Sequence, residues 1–394
     1  MSGVRHLYVH LPFCAHHCGY CDFVTLVGRA DGHPAYVDAL LAELRLEAPL
    51  LAGEVATVYL GGGTPTFTEP GALARLLGAL PTPPSAEVTV EANPETVTPA
   101  LAALLRRHGA TRISLGVQSF QPELLAVLER RATPDAVRDA FYHLRGAGFD
   151  NISLDLIYGI PGQSPSHLER DLEEAIALGP EHLSCYELEA KPGTRFTHAY
   201  GEELARQADA MEGYFELVVD TLLGVGYRWY ETANFCFPGR QARHNVAYWH
   251  GCDYLGIGIG AVSTVDGLRW RNRPSLSGYV GALAEGRRPP RVEEPLDPLV
   301  RSRERLMLGL RLDEPVPLSE VAGALDEAAL ARMEGLGLAR RAGGALTLTT
   351  RGRFLGGGVT AELLTPAQDE ASSRPVPGVS RRADGEDDLP ESAL

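Results

Sequence analysis

The chain has 394 residues and a formal net charge of -15, which is long enough for one large domain and a smaller one around a sizeable core. Its acidity argues against a nucleic-acid partner, since phosphate binding needs a basic face, and no run of about 18 apolar residues suggests an integral membrane segment. The opening MSGVRHLYVHLPF lacks a charged leader followed by an apolar stretch and a cleavage site, so a cytoplasmic protein is expected, in which six cysteines suit metal ligation or buried packing better than disulfides.

In chain order, six short runs read as strands: HLYVH (6–10), VATVYL (55–60), AEVTVEA (86–92), TRISLGV (111–117), NISLDLIYG (151–159) and HLSCYELE (182–189). All are rich in β-branched or aromatic residues and read as apolar on both faces, as in a buried parallel sheet. Between them lie amphipathic stretches such as TPALAALLRRHG, TPDAVRDAFYHLRGAG and PSHLERDLEEAIALG. Several open on Thr, Ser or Pro and close on Gly, as helix ends prefer. Alternating β and α units predict an α/β fold with a partial (β/α)6 TIM-like barrel over residues 1–235, because crossovers of one hand add parallel strands side by side. A doubly wound open sheet is the alternative.

After residue 235 aromatics, glycines and arginines crowd into FCFPGRQARHNVAYWHGCDYLGIGIGAVS. The segment LSEVAGALDEAALARMEGLGLARRAGGALTLTTRG then reads as two helices and a hairpin around AGGA, a smaller α+β winged-helix-like module with a packing role. Residues 236–365 are thus expected as a second domain. The stretch 366–394 mixes Pro, Ser, Asp, Glu and Arg, which predicts a disordered tail.

The chemistry concentrates in C14-A-H-H-C-G-Y-C-D-F23, where Cys14, Cys18 and Cys21 share one loop after the first strand. Three thiolates suit an iron-sulfur cubane with one iron left open, or a Cys3His zinc site completed by His16 or His17. The turn G61-G-G-T-P-T66 lets backbone approach a ligand closely. Glu91, Gln118 and Asp155 fall in or at the carboxyl ends of successive strands, where barrels place their sites. Cys185, Cys236 and Cys252 read as buried small residues.

The C-x3-C-x2-C spacing is the signature of the radical S-adenosylmethionine (SAM) superfamily, and YVHLPFC, GGGTPT, LGVQSF and LIYGIPGQ resemble its coproporphyrinogen III oxidase-like branch. The resemblance implies a 4Fe-4S cluster on the three cysteines and a SAM pocket lined by Tyr8, Tyr20, Gly62, Gly63, Thr64, Glu91, Gln118, Arg130 and Asp155. That branch holds the oxygen-independent oxidase, which decarboxylates coproporphyrinogen III, and the HemW family of haem chaperones. The oxidase carries a fourth cysteine where this chain has Phe23, and an N-terminal extension ahead of the first strand. H244-N-V-A-Y-W249 is similar to the haem motif of the chaperones, which implies haem binding and delivery to an acceptor such as a respiratory enzyme. His244 is then the expected iron ligand, with Tyr248 and Trp249 as aromatic neighbours and Arg240 and Arg243 as propionate partners. His250 and Cys252 are rival ligands, and a structural role for His244, Tyr248 and Trp249 is the alternative. The chain departs from the family pattern at Ala132, Ala242 and Val262, where His, Cys and His are usual.

Overall fold

The computed structural model describes residues 3–52, 54–189 and 195–365, so the expected tail lies outside the described residues. All six predicted runs are strands: β1 His6–Leu11, β2 Thr57–Gly62, β3 Glu87–Ala92, β4 Arg112–Gln118, β5 Ile152–Tyr158 and β6 His182–Glu187. Three more, β7 Arg228–Glu231, β8 Asn234–Cys236 and β9 Leu255–Ile257, complete a nine-stranded sheet in the order β9-β1-β2-β3-β4-β5-β6-β8-β7. Every pairing from β9 through β6 is parallel, and β8 runs antiparallel to both neighbours. Strands β1 to β6 neighbour one another in chain order, which is the winding of a partial (β/α)6 barrel; a doubly wound sheet would reverse direction around β1.

Local sequence sets the helices. Thr98, Thr133 and Ser164 each accept a backbone N–H of the helix they precede, and Pro99, Pro134 and Pro165 occupy the first helical position, where no N–H is needed. Gly179 ends Pro165–Leu178 at φ 70°, the left-handed conformation that glycine adopts without strain.

The strands are not apolar on both faces. Leu7, Val9, Val58, Leu60, Val88, Val90, Ile113, Leu115, Leu154 and Leu183 are fully or almost fully buried, each such side chain stabilising by about 1.5–3 kcal/mol relative to exposure. The alternate positions carry Tyr59, Glu91, Arg112, Ser114, Asp155 and Ser184, which line a cavity. Period-two alternation therefore gives each strand one packing face and one face for chemistry.

The main apolar cluster runs from Val4 to Leu283, and a second from Leu306 to Leu363. The second holds a hairpin, Ala339–Ala342 with Ala345–Leu348, turning on Gly343 and Gly344 at φ 58° and 78°, the two positive values that a tight hairpin turn requires. This winged-helix-like module docks on β7: Arg353 lies 3.7 Å over the Trp229 ring, and Arg311 pairs with the buried Glu231 at 2.7 Å. The boundary expected after residue 235 falls inside β8, and we propose that the domains divide between the two clusters, after Leu283. The segment before that division is fastened to the first helix by Glu43, whose carboxylate accepts from Gly258 N at 2.8 Å, Asn272 Nδ2 at 2.7 Å and Tyr279 Oη at 2.5 Å.

Candidate cluster and cofactor site

After β1 the chain turns so that Phe13–Cys14 pairs with Leu26–Val27, and Cys21 N donates to Cys18 O at 3.2 Å. Cys14, Cys18 and Cys21 line a cavity of about 380 Å³ that continues into the barrel between the strands. All three are free thiols, and burial pushes Cys14 up and Cys21 up to about 12; a bound cation that replaces the proton relieves that cost. His16 is turned to the Glu129 carbonyl at 2.9 Å and His17 to Thr25 Oγ1 at 3.1 Å. His16 Nε2 also lies 3.6 Å from Cys18 Sγ. The three sulfurs on one lining fit a cluster.

The glycine turn after β2 is packed against this loop. Gly63 N donates to Leu11 O at 2.9 Å and Thr64 N to Phe13 O at 2.8 Å, and a Cβ on Gly63 would stand 2.5 Å from Pro12 O. The absent side chain is what lets the turn and the cluster loop touch. From here a hydrogen-bonded chain crosses the site: Asn93 Nδ2 donates to Thr64 Oγ1 at 2.9 Å, while Arg130 Nη2 donates to Asn93 Oδ1 at 2.8 Å and Gly116 O at 2.9 Å. Arg130 Nη1 stands 3.9 Å from Cys18 Sγ.

Glu91, at the carboxyl end of β3, accepts from Tyr59 Oη at 2.7 Å and Gly62 N at 3.1 Å, and burial pushes its carboxyl up to about 7. Asp155 is raised by the same cause and is held by the hydroxyls of Ser114 and Ser153, each at 3.0 Å. Gln118 sits at φ 69° beside a register shift in β4, a strained conformation of the sort that collects at binding sites. Of the residues expected in the SAM pocket, Tyr20, Gly62, Gly63, Thr64, Glu91, Gln118, Arg130 and Asp155 all line the cavity. Tyr8 does not; it stacks on Tyr59, which does, with ring centroids 6.2 Å apart.

The HNVAYW segment lies at the opposite, amino-terminal end of the strands, as the helix Arg243–Trp249. His244 is 1% exposed, and both ring nitrogens are engaged: Nδ1 with Thr57 Oγ1 at 2.8 Å and Nε2 with Tyr248 Oη at 2.9 Å. Burial pulls its pKa down to about 3. Arg311 lies 4.4 Å over the Trp249 ring. Arg240 and Arg243 border a separate groove near Asp150 and Asn151, and His250 pairs with Glu314 at 3.2 Å. Cys185 and Cys236 are buried as expected, but Cys252 is exposed, because it follows the end of that helix.

The radical SAM superfamily model matches residues 8–175, and the HemN C-terminal domain model matches residues 296–355. The heme chaperone HemW of Mycobacterium tuberculosis is 38% identical over 368 residues, covering 91% of this chain and 94% of that protein. The chain belongs to the HemW family. A second HemW relative, from Bacillus subtilis, is 32% identical over 377 residues, covering 92% of this chain and 99% of its own length. Among solved structures, the radical SAM coproporphyrinogen III oxidase HemN of Escherichia coli shares the fold, with a TM-score of 0.77 at 24% identity over 92% of this chain and 90% of that one. Membership of the radical SAM superfamily implies the cluster and SAM. Among the described residues no helix is long and apolar enough to cross a membrane.

Several residues of the site were not singled out from sequence: Tyr59, Asn93, Arg112, Ser114 and Asn245. Asn93 carried a usable signal, two residues past Glu91 in VTVEANPE. Asn245 carried one too, as the second residue of HNVAYW; Tyr59, Arg112 and Ser114 had none, because a polar residue inside a strand reads the same whether it faces solvent or a cavity.

Proposed function

We propose that this chain is a cytoplasmic haem chaperone that holds a 4Fe-4S cluster and SAM at the carboxyl end of its barrel, binds haem, and passes it to an acceptor such as a respiratory enzyme. Cys14, Cys18 and Cys21 would hold the cluster, with SAM along Gly62, Gly63, Thr64, Glu91, Gln118, Arg130 and Asp155. Reductive cleavage of SAM to a deoxyadenosyl radical is the chemistry that such a cluster supplies when loaded. The protein's own part is positional: Arg130 ties the end of β3 to the cluster loop, and Tyr59 with Gly62 N holds Glu91 facing the cavity.

The observation that carries the chaperone reading is Phe23. Where the oxidase has a further cysteine, this chain places a phenylalanine that is 66% exposed on the cavity lining, an apolar surface suited to a flat macrocycle. The HemW relatives support the same reading across nearly the whole chain. Iron ligation by His244, with Tyr248 and Trp249 beside it, requires that at least one of its two internal hydrogen bonds be given up.

The test is anaerobic reconstitution with iron, sulfide, SAM and reductant, offering haemin and coproporphyrinogen III side by side. The expected outcome is a Soret shift with haemin and no protoporphyrinogen IX. Turnover of coproporphyrinogen would make the decarboxylase the main function. A Soret spectrum and affinity unchanged in His244→Ala would remove His244 from the ligands.

A further inference from the structure

Arg112 opens β4 and points its side chain into the cavity at the end remote from the cluster loop. It is 2% exposed, and among the described residues its Nε has no hydrogen-bond partner and no ion pair joins the guanidinium to a carboxylate. Asp155 and Glu91 both feel its charge, yet their oxygens are held by other donors, the hydroxyls of Ser114 and Ser153 on Asp155 and Tyr59 Oη with Gly62 N on Glu91. A buried guanidinium presents five donors and sheds none of its charge, so its cavity-facing donors can be matched only by something that enters the cavity.

Asn245 supplies a second group there. The helix Arg243–Trp249 is fastened across the strand starts, with Arg243 N and His244 N both donating to the Glu87 carboxylate at 3.0 Å. His244 spends its donors on this fastening. Asn245, next in the chain, lines the cavity, and its amide takes no part in the hydrogen bonds that fasten the helix. The motif thus divides its labour: His244 holds the helix, and Asn245 faces the ligand space.

We propose that Arg112 and Asn245 form an anion site on the cavity floor that takes a carboxylate, the planar guanidinium giving a paired contact and the amide a third hydrogen bond. The cavity alone carries this assignment; the view that the carboxylate is a tetrapyrrole propionate rests on the function proposed above. The other source is the carboxylate of SAM itself.

The cluster-loaded protein is titrated anaerobically with haemin, haemin dimethyl ester and SAM, in the wild type and in Arg112→Gln, Arg112→Lys and Asn245→Ala. Loss of one charge-assisted contact should weaken haemin about tenfold in Arg112→Gln, and less in Arg112→Lys, while the ester binds all forms alike. Weakening of SAM with haemin unmoved would assign the same site to SAM. Equal losses for acid and ester, or no loss for haemin or SAM in any variant, would overturn the proposal. Should Arg112→Gln fail to retain its cluster, Arg112→Lys and Asn245→Ala decide. A wild type that binds no haemin defeats the chaperone reading and leaves the SAM arm to judge the anion site.

Discussion

The two ends of the barrel carry motifs of similar polarity and use them in opposite ways. At the carboxyl end, Cys14, Cys18, Cys21, Glu91 and Arg130 are brought to one lining. At the amino end, His244, Tyr248 and Trp249 are turned into the protein, where Thr57, Tyr254 and Arg311 meet them. The lesson is that a histidine flanked by aromatics acquires its role from where its nitrogens point. The carboxyl end leaves its polar groups facing the cavity, and the amino end packs His244, Tyr248 and Trp249 against the protein.

Four experiments bear on that contrast. Replacing Cys14, Cys18 or Cys21 singly by Ser should abolish the brown chromophore after reconstitution; a full cluster in any one of them would remove that residue from the open end. His244→Ala should cost about 2–4 kcal/mol in denaturant unfolding, from the void and the orphaned hydroxyl of Tyr248, while Thr57 Oγ1 keeps His6 Nδ1 at 2.9 Å, with SAM affinity nearly intact. A collapse of SAM binding would show that the two ends act as one unit.

Acid titration separates the ends by sign. The pKa of His244 is lowered from 6.5 to about 3, so the unfolded chain takes up a proton that the folded one refuses. Its stabilising contribution is whole above 6.5 and is lost as pH falls through that window, by about 1.4 kcal/mol per pH unit. Glu91 is raised from 4.5 to about 7, so its contribution is whole below 4.5 and is lost as pH rises toward 7. Unfolding midpoints of the cluster-free protein, compared with His244→Gln and Glu91→Gln, should show the first slope vanish in one variant and the second in the other. The smallest effect is expected at Phe23→Ser: stability within about 0.5 kcal/mol, as for an exposed side chain, with a severalfold weaker haemin titration. Unchanged haemin binding would detach Phe23 from the mouth of the site.

Much of the carboxyl end was legible from sequence because its logic is local. A strand, a cysteine loop and a glycine turn each fit in a dozen residues, and six strand runs in alternation with capped helices leave few topologies. The amino end was not, because its partners are remote in sequence: Thr57 and His244 meet from 187 positions apart. Strand β9 was missed too, hidden in DYLGIGIG, where three strand residues among glycines leave no alternation to read. Arg112 was passed over for another reason, since a strand-starting arginine is usually solvated and only the assembled cavity shows where it points.

Strand β9 also has a consequence for how the protein is made. It pairs with β1 through Leu7 and Leu255, so the strand that leads directly into the cysteine loop lacks one of its two neighbours until most of the chain has been synthesised. Closing so long a loop is entropically costly and slow. The cysteine loop is therefore made well before β9, the second neighbour of the strand that carries it, and its bare thiols are open to oxidation in the interval. Cluster insertion should accordingly follow chain completion, and yield of the loaded protein should respond to oxygen during synthesis more than afterwards.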